Sequence, residues 1–402
     1  MGSERLRFKD ENGKNYIDKY EVQIGDVSKI YQPKTISSNE LTTDGFTVYG
    51  ANGIIGNYHS YNHSSDQVLI SCRGENCGTV NFSIGKCWIT GNTMVINVDE
   101  SNELHKKFLY YQLINQNLKY LVTGSGQPQI VRNVLEKHKI MIFQFQEQEK
   151  IGNFLSLFDR LIEKLETKVG LLKELKKGYL QQMFPAKGEK VPKIRFKDEN
   201  GNEYPDWKLT KLSKIGYFKT SSVDKKITPT EQEVFLVNYM DVYNHISLSN
   251  TTKKNLMRVT AKASQIKENN LLRGDILFTP SSETPDDIGH SVVVYEDLIN
   301  TVYSYHLVRF RAEILMNLDY AHYFCNTQDL LKQMSILSQG ATRFTLSLKS
   351  FNSLKIKISQ SIEEQEKIGN FLRKLDAMIE KNEKESNAIE QLKKGYMQRL
   401  FA

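Results

Sequence analysis

The chain has 402 residues, which at about 100–200 residues per domain excludes a single small module. Hydrophobic residues make up 39% and charged residues 25%, and this composition excludes a wholly disordered chain. Lys and Arg number 54 against 47 Asp and Glu, and the net charge of +7 permits a polyanionic partner without requiring one.

Hydropathy and cysteine content predict a cytoplasmic protein. No apolar run approaches the ~18–20 residues that a membrane-spanning helix needs. Met1 to Gly13 contains no apolar segment typical of a secretion signal. Three of the four cysteines, Cys72, Cys77 and Cys87, lie close together, an uneven spacing that does not suit a disulfide framework. We expect reduced cysteines.

The sequence of the first part of the chain predicts an opening segment followed by a mixed α/β domain. Residues 1–19 form the opening segment and contain the letters RFKDENG. Residues 20–146 hold short β-rich runs such as Gln67–Ser71 and Thr93–Val98, with a helical stretch at Leu104–Leu118. We interpret residues 20–146 as one globular domain.

Residues 147–184 predict a long coiled-coil helix. Apolar residues recur at alternating spacings of three and four, broken only at Lys168. The predicted seam consists of Ile151, Phe154, Phe158, Leu161, Leu165, Leu172, Leu175 and Tyr179. At 1.5 Å per residue this helix would be about 57 Å long, which suits a spacer.

The second half repeats this order after a proline-bracketed linker. Residues 185–206 form the linker and a second opening segment, in which RFKDENG recurs. Residues 207–361 predict a second mixed α/β domain, with strand patterns at Asp275–Thr279 and Ser291–Tyr295 and a helix over Leu318–Met334.

Residues 362–402 predict a second coiled-coil helix. Its predicted seam consists of Ile368, Phe371, Leu375, Met378, Ile389, Leu392 and Tyr396, with polar Asn382 and Glu385 between them. Polar seam positions usually fix register or partner.

Two offsets separate the repeated motifs. RFKDENG recurs 188 positions later, whereas EQEKIGNFL at Glu147–Leu155 and LKKGY at Leu175–Tyr179 both recur 217 positions later. The coil therefore has one fixed length in both halves, and the segment before it is longer in the second half by 29 residues, the difference between 217 and 188. The chain is an internal repeat with pseudo-two-fold character, and its two domains differ in sequence.

No catalytic motif stands out in the sequence. There is no phosphate-binding loop, Rossmann glycine pattern, HExxH helix or GxSxG motif. Asp286 and Asp287 could suggest a metal-dependent nuclease, but a solvated loop explains them as well. His59 and His63 could join the three clustered cysteines in a zinc site, yet the spacing fits no standard site, and buried cysteines behave as small hydrophobes.

Polar glycine-containing loops in both domains are candidates for DNA recognition. Ser71–Thr79 follows a strand and carries Arg, Glu and Asn, side chains that can bond base edges. Gly124–Arg132 and its counterpart Ser338–Arg343 precede the two coils by similar intervals, although such loops are often only turns. The candidate set is Tyr49, Asn52, Arg73, Glu75, Asn76, Thr79, Ser125, Gln127, Gln129, Arg132, Asn238, Tyr239, Thr279, Ser281, Ser282, Glu283, His290, Gln339, Thr342 and Arg343.

These motifs resemble the specificity subunit of type I restriction-modification systems over nearly the whole chain. The motifs are the paired RFKDENG segments, the paired EQEKIGNFL and LKKGYxQxxF helix ends, YGANGIIG at Tyr49–Gly56 and GDILFTPSSETPDDIG at Gly274–Gly289. The first domain departs from the family at its start, where Tyr20 takes the place of Trp207.

The resemblance implies two target recognition domains separated by two antiparallel conserved helices, each domain reading one half of an asymmetric DNA site. It implies two docked methyltransferase subunits and further motor-nuclease subunits. S-adenosylmethionine would then belong to the methyltransferase, ATP and Mg to the motor-nuclease subunit, and this chain would hold no cofactor, no metal and no catalytic residue. A stand-alone DNA-binding regulator and a coiled-coil scaffold are the alternatives.

Overall fold

The computed structural model describes residues 6–124 and 126–402, and the chain divides into two compact units. Unit 1 consists of the chain up to Lys168 together with Asn382–Ala402, and unit 2 is Val169–Lys381. Each unit therefore contains one globular domain and a part of each long helix.

The domain of unit 1 consists mainly of short strands, as the alternating sequence pattern predicts. The elements in chain order are β1 (Tyr20–Gln23), α1 (Ile24–Val27), β2 (Lys29–Tyr31), β3 (Phe46–Gly50), β4 (Gly53–Tyr58), β5 (Gln67–Ser71), β6 (Val80–Ser83), β7 (Cys87–Ile89), β8 (Thr93–Asn97), α2 (Lys106–Gln116), α3 (Arg132–Glu136) and β9 (Lys139–Ile142). The long helix α4 (Phe145–Gln182) follows and continues into unit 2.

The domain of unit 2 has more elements. They are β10 (Lys208–Lys211), β11 (Gly216–Thr220), β12 (Gln232–Val237), α5 (Tyr239–Tyr243), β13 (Met257–Ala261), α6 (Ala263–Asn269), β14 (Asn270–Leu271), β15 (Ile276–Phe278), β16 (Ser281–Ser282), β17 (Ser291–Val293), β18 (Leu298–Tyr303), β19 (Val308–Ala312), α7 (Leu318–Phe324), α8 (Gln328–Leu337), β20 (Phe344–Thr345), α9 (Leu348–Ser353) and β21 (Lys355–Ile358). The second long helix, α10 (Ile362–Leu400), closes the chain.

One predicted helix is divided in the structure. The stretch Leu318–Met334 forms α7 and α8 rather than a single helix, and Cys325–Thr327 lies between them. Thr327 has an extended backbone, and its hydroxyl donates to the carbonyl of Phe324. Such local side-chain bonds compete with the helical pattern, so the chain restarts at α8.

The two domains share one sheet plan. The first sheets have the orders β2-β8-β5-β6 and β11-β19-β15-β17, antiparallel throughout. The second sheets, β4-β3-β7 and β13-β12-β18-β14, each contain one parallel pair, β3 with β7 and β12 with β18. In this arrangement β14 is an additional strand of the second domain. Together with α6, it accounts for part of the greater length of the second domain.

Each opening segment binds the start of a long helix through a buried ion pair. Arg7 donates to the fully buried carboxylate of Glu147 at 2.8 and 3.3 Å. Arg195 donates to the equally buried Glu364 at 2.7 and 3.1 Å. The hydrogen bond to the carboxylate raises the pKa of both arginines. The sequence repeat is therefore also a repeat of contacts.

Trp207 has a different counterpart from the one that the sequence suggested. Its indole nitrogen donates to Glu364 at 3.1 Å, and the side chain is buried. The next residue, Lys208, begins β10 as Tyr20 begins β1, so Lys19 rather than Tyr20 occupies the position of Trp207. Tyr20 itself is half exposed.

Contacts within each unit show that the two long helices run antiparallel. In unit 1 the rings of Phe154 and Tyr396 pack 5.1 Å apart, and Asp159, further along α4, pairs with the earlier residue Lys393 of α10. In unit 2 the Lys176 ammonium lies 2.6 Å from Asp376, to which Tyr323 also donates at 2.6 Å. Burial and this hydrogen bond raise the pKa of Tyr323.

The predicted seam is right at alternate positions, such as the buried Ile151 and Leu172 on α4 and Ile368 and Leu375 on α10, but wrong at several of the positions between them. Leu161, Leu175, Met378 and Leu392 are 50%, 46%, 44% and 55% exposed. The buried or half-buried positions instead follow the opposite order of fours and threes, namely 151, 155, 158, 162, 165, 169 and 172 on α4, and 368, 372, 375, 379, 382, 386 and 389 on α10. Val169 removes the break expected at Lys168, and Ser386 lies in the seam instead of Glu385, whereas Asn382 is buried as predicted.

Two leucines on α4 test this seam. Leu155 is fully buried and Leu161 is half exposed. We expect Leu155→Ala to lower the free energy of unfolding of unit 1 by about 2–5 kcal/mol, because it removes buried methyl groups and leaves a cavity. Leu161→Ala should change it by about 0.5 kcal/mol or less. Chemical denaturation followed by circular dichroism measures both, and equal losses would contradict the seam.

Candidate nucleic-acid interface

Three loops meet at one end of the first domain. Arg73 and Gln129 form an isolated antiparallel bridge, and the amide of Gly74 donates to the carbonyl of Pro128 at 3.0 Å. The side-chain amide of Asn76 donates to Asn52 at 2.7 Å. The β5–β6 loop therefore lies between the β3–β4 turn and the turn that precedes α3.

The turn that precedes α3 needs a glycine at the point where the chain changes direction. Gly124 has φ +92°, and a Cβ there would lie 2.6 Å from the carbonyl oxygen of Gln127. Any other residue would be strained and would collide with the backbone. The turn is closed by the bridge between Thr123 and Gln129, which leaves Gln127 at its exposed side.

Most candidates of the first domain are exposed around these loops. The exposed residues are Asn52, Arg73, Glu75, Asn76, Thr79, Gln127, Gln129 and Arg132. Tyr49 is only 7% exposed and its hydroxyl accepts from the amide of Ile84, so its role is in the core. Ser125 lies outside the described residues.

The two arginines of this surface differ in their partners. Arg132 pairs with Glu136 on the same helix at 2.7 Å. The exposed guanidinium of Arg73 makes no hydrogen bond or ion pair with the part of the chain that the structure describes. Arg73 can therefore offer its donors to a ligand without first breaking a contact.

The second domain repeats this construction. β16 pairs with β20, Gln339 bridges Thr345, and the amide of Leu346 donates to the carbonyl of Pro280 at 2.8 Å. Gly340 has φ +149° and approaches the carbonyl oxygen of Arg343 as Gly124 approaches Gln127. The sequence prediction that the two glycine turns correspond is confirmed by these equivalent contacts.

The candidates of the second domain divide into exposed and buried groups. Glu283, Gln339, Thr342 and Arg343 are exposed, whereas Asn238, Tyr239 and His290 are partly buried. Thr279, Ser281 and Ser282 are 0%, 8% and 6% exposed, so they support the loop from inside. Arg343 donates to the Ser281 hydroxyl at 3.1 Å, and Tyr239 donates to the Ser281 carbonyl at 2.6 Å.

Sequence reasoning missed the group around Asp287. Its carboxylate contacts His290 at 2.9 Å and accepts from Tyr243 at 3.1 Å and from Ser282 at 3.3 Å. The hydrogen bond with His290 lowers the pKa of Asp287. The sequence analysis named Ser282 and His290 as DNA-binding candidates and treated the aspartate pair separately, so it did not connect them. The distant Tyr243 gives no sequence signal, because folding alone brings it here.

The suggested metal chemistry has no counterpart among the described residues. There, no group of three or more His, Cys, Asp and Glu side chains could hold a metal ion. Asp286 accepts from Ser335, and Cys72, Cys77 and Cys87 are buried and unbonded to one another. No helix within residues 6–124 and 126–402 is long and apolar enough to cross a membrane.

The sequence is similar to a known family model and to specificity subunits of type I restriction enzymes. A family model described as the type I restriction modification DNA specificity domain matches residues 17–177 and again 172–391. The MjaVIII specificity subunit of a type I restriction enzyme from Methanocaldococcus jannaschii is 28% identical over 236 residues, 53% of this chain and 54% of that subunit. A putative MjaX specificity subunit from the same organism is 25% identical over 323 residues, 77% of this chain and 71% of that protein.

A solved structure has the same fold. The crystal structure of the S subunit of a type I restriction-modification system from M. genitalium shares 16% identity with a TM-score of 0.65, over 96% of each chain. The matched part of this chain spans about half the length of the MjaVIII subunit. Because the two family matches together take up most of its length, this chain belongs to the type I restriction modification DNA specificity domain family.

Proposed function

We propose that this chain is the DNA-recognition subunit of a type I restriction-modification complex, and that each domain reads one half of an asymmetric bipartite site. The observation that carries the proposal is the equivalent loop surface in the two domains, with Arg73 bridging Gln129 in one and β16 pairing β20 in the other. Duplicate surfaces on one repeated frame suit a ligand with two similar halves, such as duplex DNA.

The side chains on these surfaces support direct reading of bases. Arginine can bond guanine, and Asn or Gln can bond adenine, each through two hydrogen bonds in the major groove. The first surface offers Arg73, Asn76 and Gln127, and the second offers Arg343 and Gln339. Because the two sets differ, the two half-sites should differ in sequence.

Catalysis belongs to other subunits in this proposal. Methylation and cleavage would take place in methyltransferase and motor-nuclease subunits, which bring S-adenosylmethionine, and ATP with Mg, respectively. This chain recognises the DNA sequence, and its antiparallel coil sets the gap between the half-sites. A stand-alone DNA-binding regulator and a coiled-coil scaffold are the alternatives, and the next experiment separates the proposed function from the regulator.

Exchange of one domain tests the division of labour. The chain is expressed with a methyltransferase subunit of its system, and methylated adenines are mapped by single-molecule sequencing. Replacing Tyr20–Ile142 with the same domain of a relative should change one half of the methylated motif and leave the other half and the gap unchanged. A change in both halves would contradict the proposal. If no methylation appears although the two proteins associate, the regulator reading is favoured.

A single substitution tests base reading. Arg73→Ala should weaken binding to the cognate duplex by about 1–3 kcal/mol and relax specificity at one position, because a free arginine is lost from a base edge. Arg258→Ala is the matched control, since Arg258 is exposed, pairs with Glu233 and lies outside the candidate set. Binding titrations against single-position duplex variants measure the effect. Equal weakening on all sequences, with a salt slope reduced by about 0.9, would instead assign Arg73 to a phosphate.

The exposed apolar positions of the coil support docking of two identical partners. Leu175 on α4 and Leu392 on α10 are 46% and 55% exposed and occupy the same position of the repeat. Leu175 lies in unit 2 and Leu392 in unit 1. A repeated exposed leucine serves a partner that binds each unit in the same way, here one methyltransferase subunit for each unit.

Stoichiometry tests this docking. Wild type should bind two methyltransferase subunits, whereas Leu175→Glu and Leu392→Glu should each bind one, because a charge is placed in one of two apolar contacts. Leu157→Glu is the control, since Leu157 is exposed but its repeat counterpart is Lys374. Light scattering gives the mass of each complex, and two bound copies in both single variants would exclude this surface.

A further inference from the structure

Two histidines and a carboxylate form a continuous hydrogen-bond chain beside the second recognition surface. His245 Nδ1 lies 3.1 Å from the carbonyl oxygen of Ser291, and its Nε2 lies 3.1 Å from His290 Nδ1. His290 Nε2 lies 2.9 Å from Asp287 Oδ1. The order of the chain is thus Ser291, His245, His290 and Asp287.

This chain needs one proton more than two neutral imidazoles carry. The carbonyl of Ser291 and the carboxylate of Asp287 accept hydrogen bonds and cannot donate. The ring nitrogen facing each of them must therefore carry a proton, and a third proton must lie between the two rings. Two neutral imidazoles hold only two protons, so the complete network contains one imidazolium.

The surroundings place the extra proton on His290. Burial lowers the pKa of His245, which keeps that ring neutral with its proton directed at Ser291. The hydrogen bond from His290 lowers the pKa of Asp287, which keeps the carboxylate ionised. His290 lies between them, and both of its nitrogens then donate.

The backbone of His245 points independently to a role for its side chain. His245 follows α5 and has φ +51°, a left-handed conformation that glycine or asparagine adopts with less strain. Residues held in such conformations persist when surrounding contacts offset the strain. The bonds to Ser291 and His290 are those contacts.

Other charged and titratable groups face the pair. Helix α5 contributes Tyr239 and Tyr243, and the loop contributes Glu283. Arg343 precedes β20, and α4 and α7 contribute Lys176 and His322. Lys176 lowers the pKa of His245 and so opposes a proton on that ring. Burial lowers the pKa of His322 to about 4, so this ring stays neutral.

We propose that His290, held as an imidazolium between Asp287 and His245, is a positioning residue that keeps the loop of residues 281–290 in its DNA-reading conformation. This inference rests on the proposed function and adds a regulation to it. The ordered loop holds one proton more than a loop in which the two rings separate, so order is lost as the pH rises. The corresponding loop of the first domain, residues 72–79, contains no histidine, so only one half-site depends on pH.

Binding of the full chain to duplex DNA tests the pH dependence. The duplex carries the mapped bipartite site, and two further duplexes have one half-site scrambled. Titrations cover about pH 5.5 to about pH 8.5, a range that brackets the ordinary imidazole pKa of about 6.5. Discrimination of the second half-site should decline toward high pH while that of the first stays constant. Identical pH profiles for the two half-sites would overturn the proposal.

Three variants separate positioning from simple packing. His245→Gly suits the left-handed backbone but removes the ring, and His290→Gln removes the imidazolium. Both should weaken binding to the second half-site about tenfold at low pH and flatten the pH profile, because charge-assisted hydrogen bonds are lost. Asp286→Asn is the matched control and should retain the wild-type profile. A wild-type profile in His245→Gly would make His245 a helix cap only and overturn the proposal.

A measurement without DNA keeps this test independent of the proposed function. Nitrogen-15 labelling of the histidines reports ring protonation by NMR, with His290→Gln used to assign the signal. We expect two protonated nitrogens at His290 and one at His245 at about pH 6. Two neutral rings would overturn the proposal. Failure to bind any DNA, with this imidazolium present, would overturn the proposed function instead.

Discussion

The architecture depends on a buried ion pair that occurs twice. Each long helix begins with a carboxylate, Glu147 or Glu364, that is fully removed from solvent and bound by an arginine of the opening segment. Burying an ionised carboxylate costs several kcal/mol of hydration free energy, unless a well-placed cation and further hydrogen-bond donors compensate. Arg7 and Arg195 each also donate to a backbone carbonyl of their own segment. The pair therefore fixes the path of the opening segment and the start of the helix together.

Further contacts repeat around these two pairs. Lys150 donates to the carbonyl of Lys9 as Lys367 donates to that of Lys197. A second polar contact between the long helices also repeats, Lys393 with Asp159 in unit 1 and Lys176 with Asp376 in unit 2, and its side chains are partly exposed. Ion pairs beside an apolar seam favour one register of the two helices, because a shift separates each charge from its partner. The frame is thus specified by the same charges in both units.

The loop surfaces of the two domains, unlike the frame, do not have the same side-chain contacts. Their backbone construction is shared, with a glycine turn bridged to the loop after a central strand, but their side chains are not. The first surface presents a free arginine and amides, whereas the second is stabilised from within by Tyr239, Ser281 and the histidine network. Under the proposed function, a constant frame with variable side chains lets one fold read two different DNA sequences.

The sequence by itself determined the repeat, the two mixed domains and the two long helices, because seven-residue identities and apolar spacing are properties of the chain alone. It also indicated the loops, since glycine and polar residues cluster there.

The seam phase remained ambiguous, because Leu161 and Ile162 are adjacent and equally apolar and only packing decides which is buried. Tyr49 and Thr279 were among the candidate DNA-binding residues, yet the sheets bury them. The contact of His245 with His290 and Asp287 joins residues about 45 positions apart, and no local pattern encodes such a meeting. Only the tertiary structure decided it, because hydrogen bonds between distant segments form when the sheets have brought those segments together.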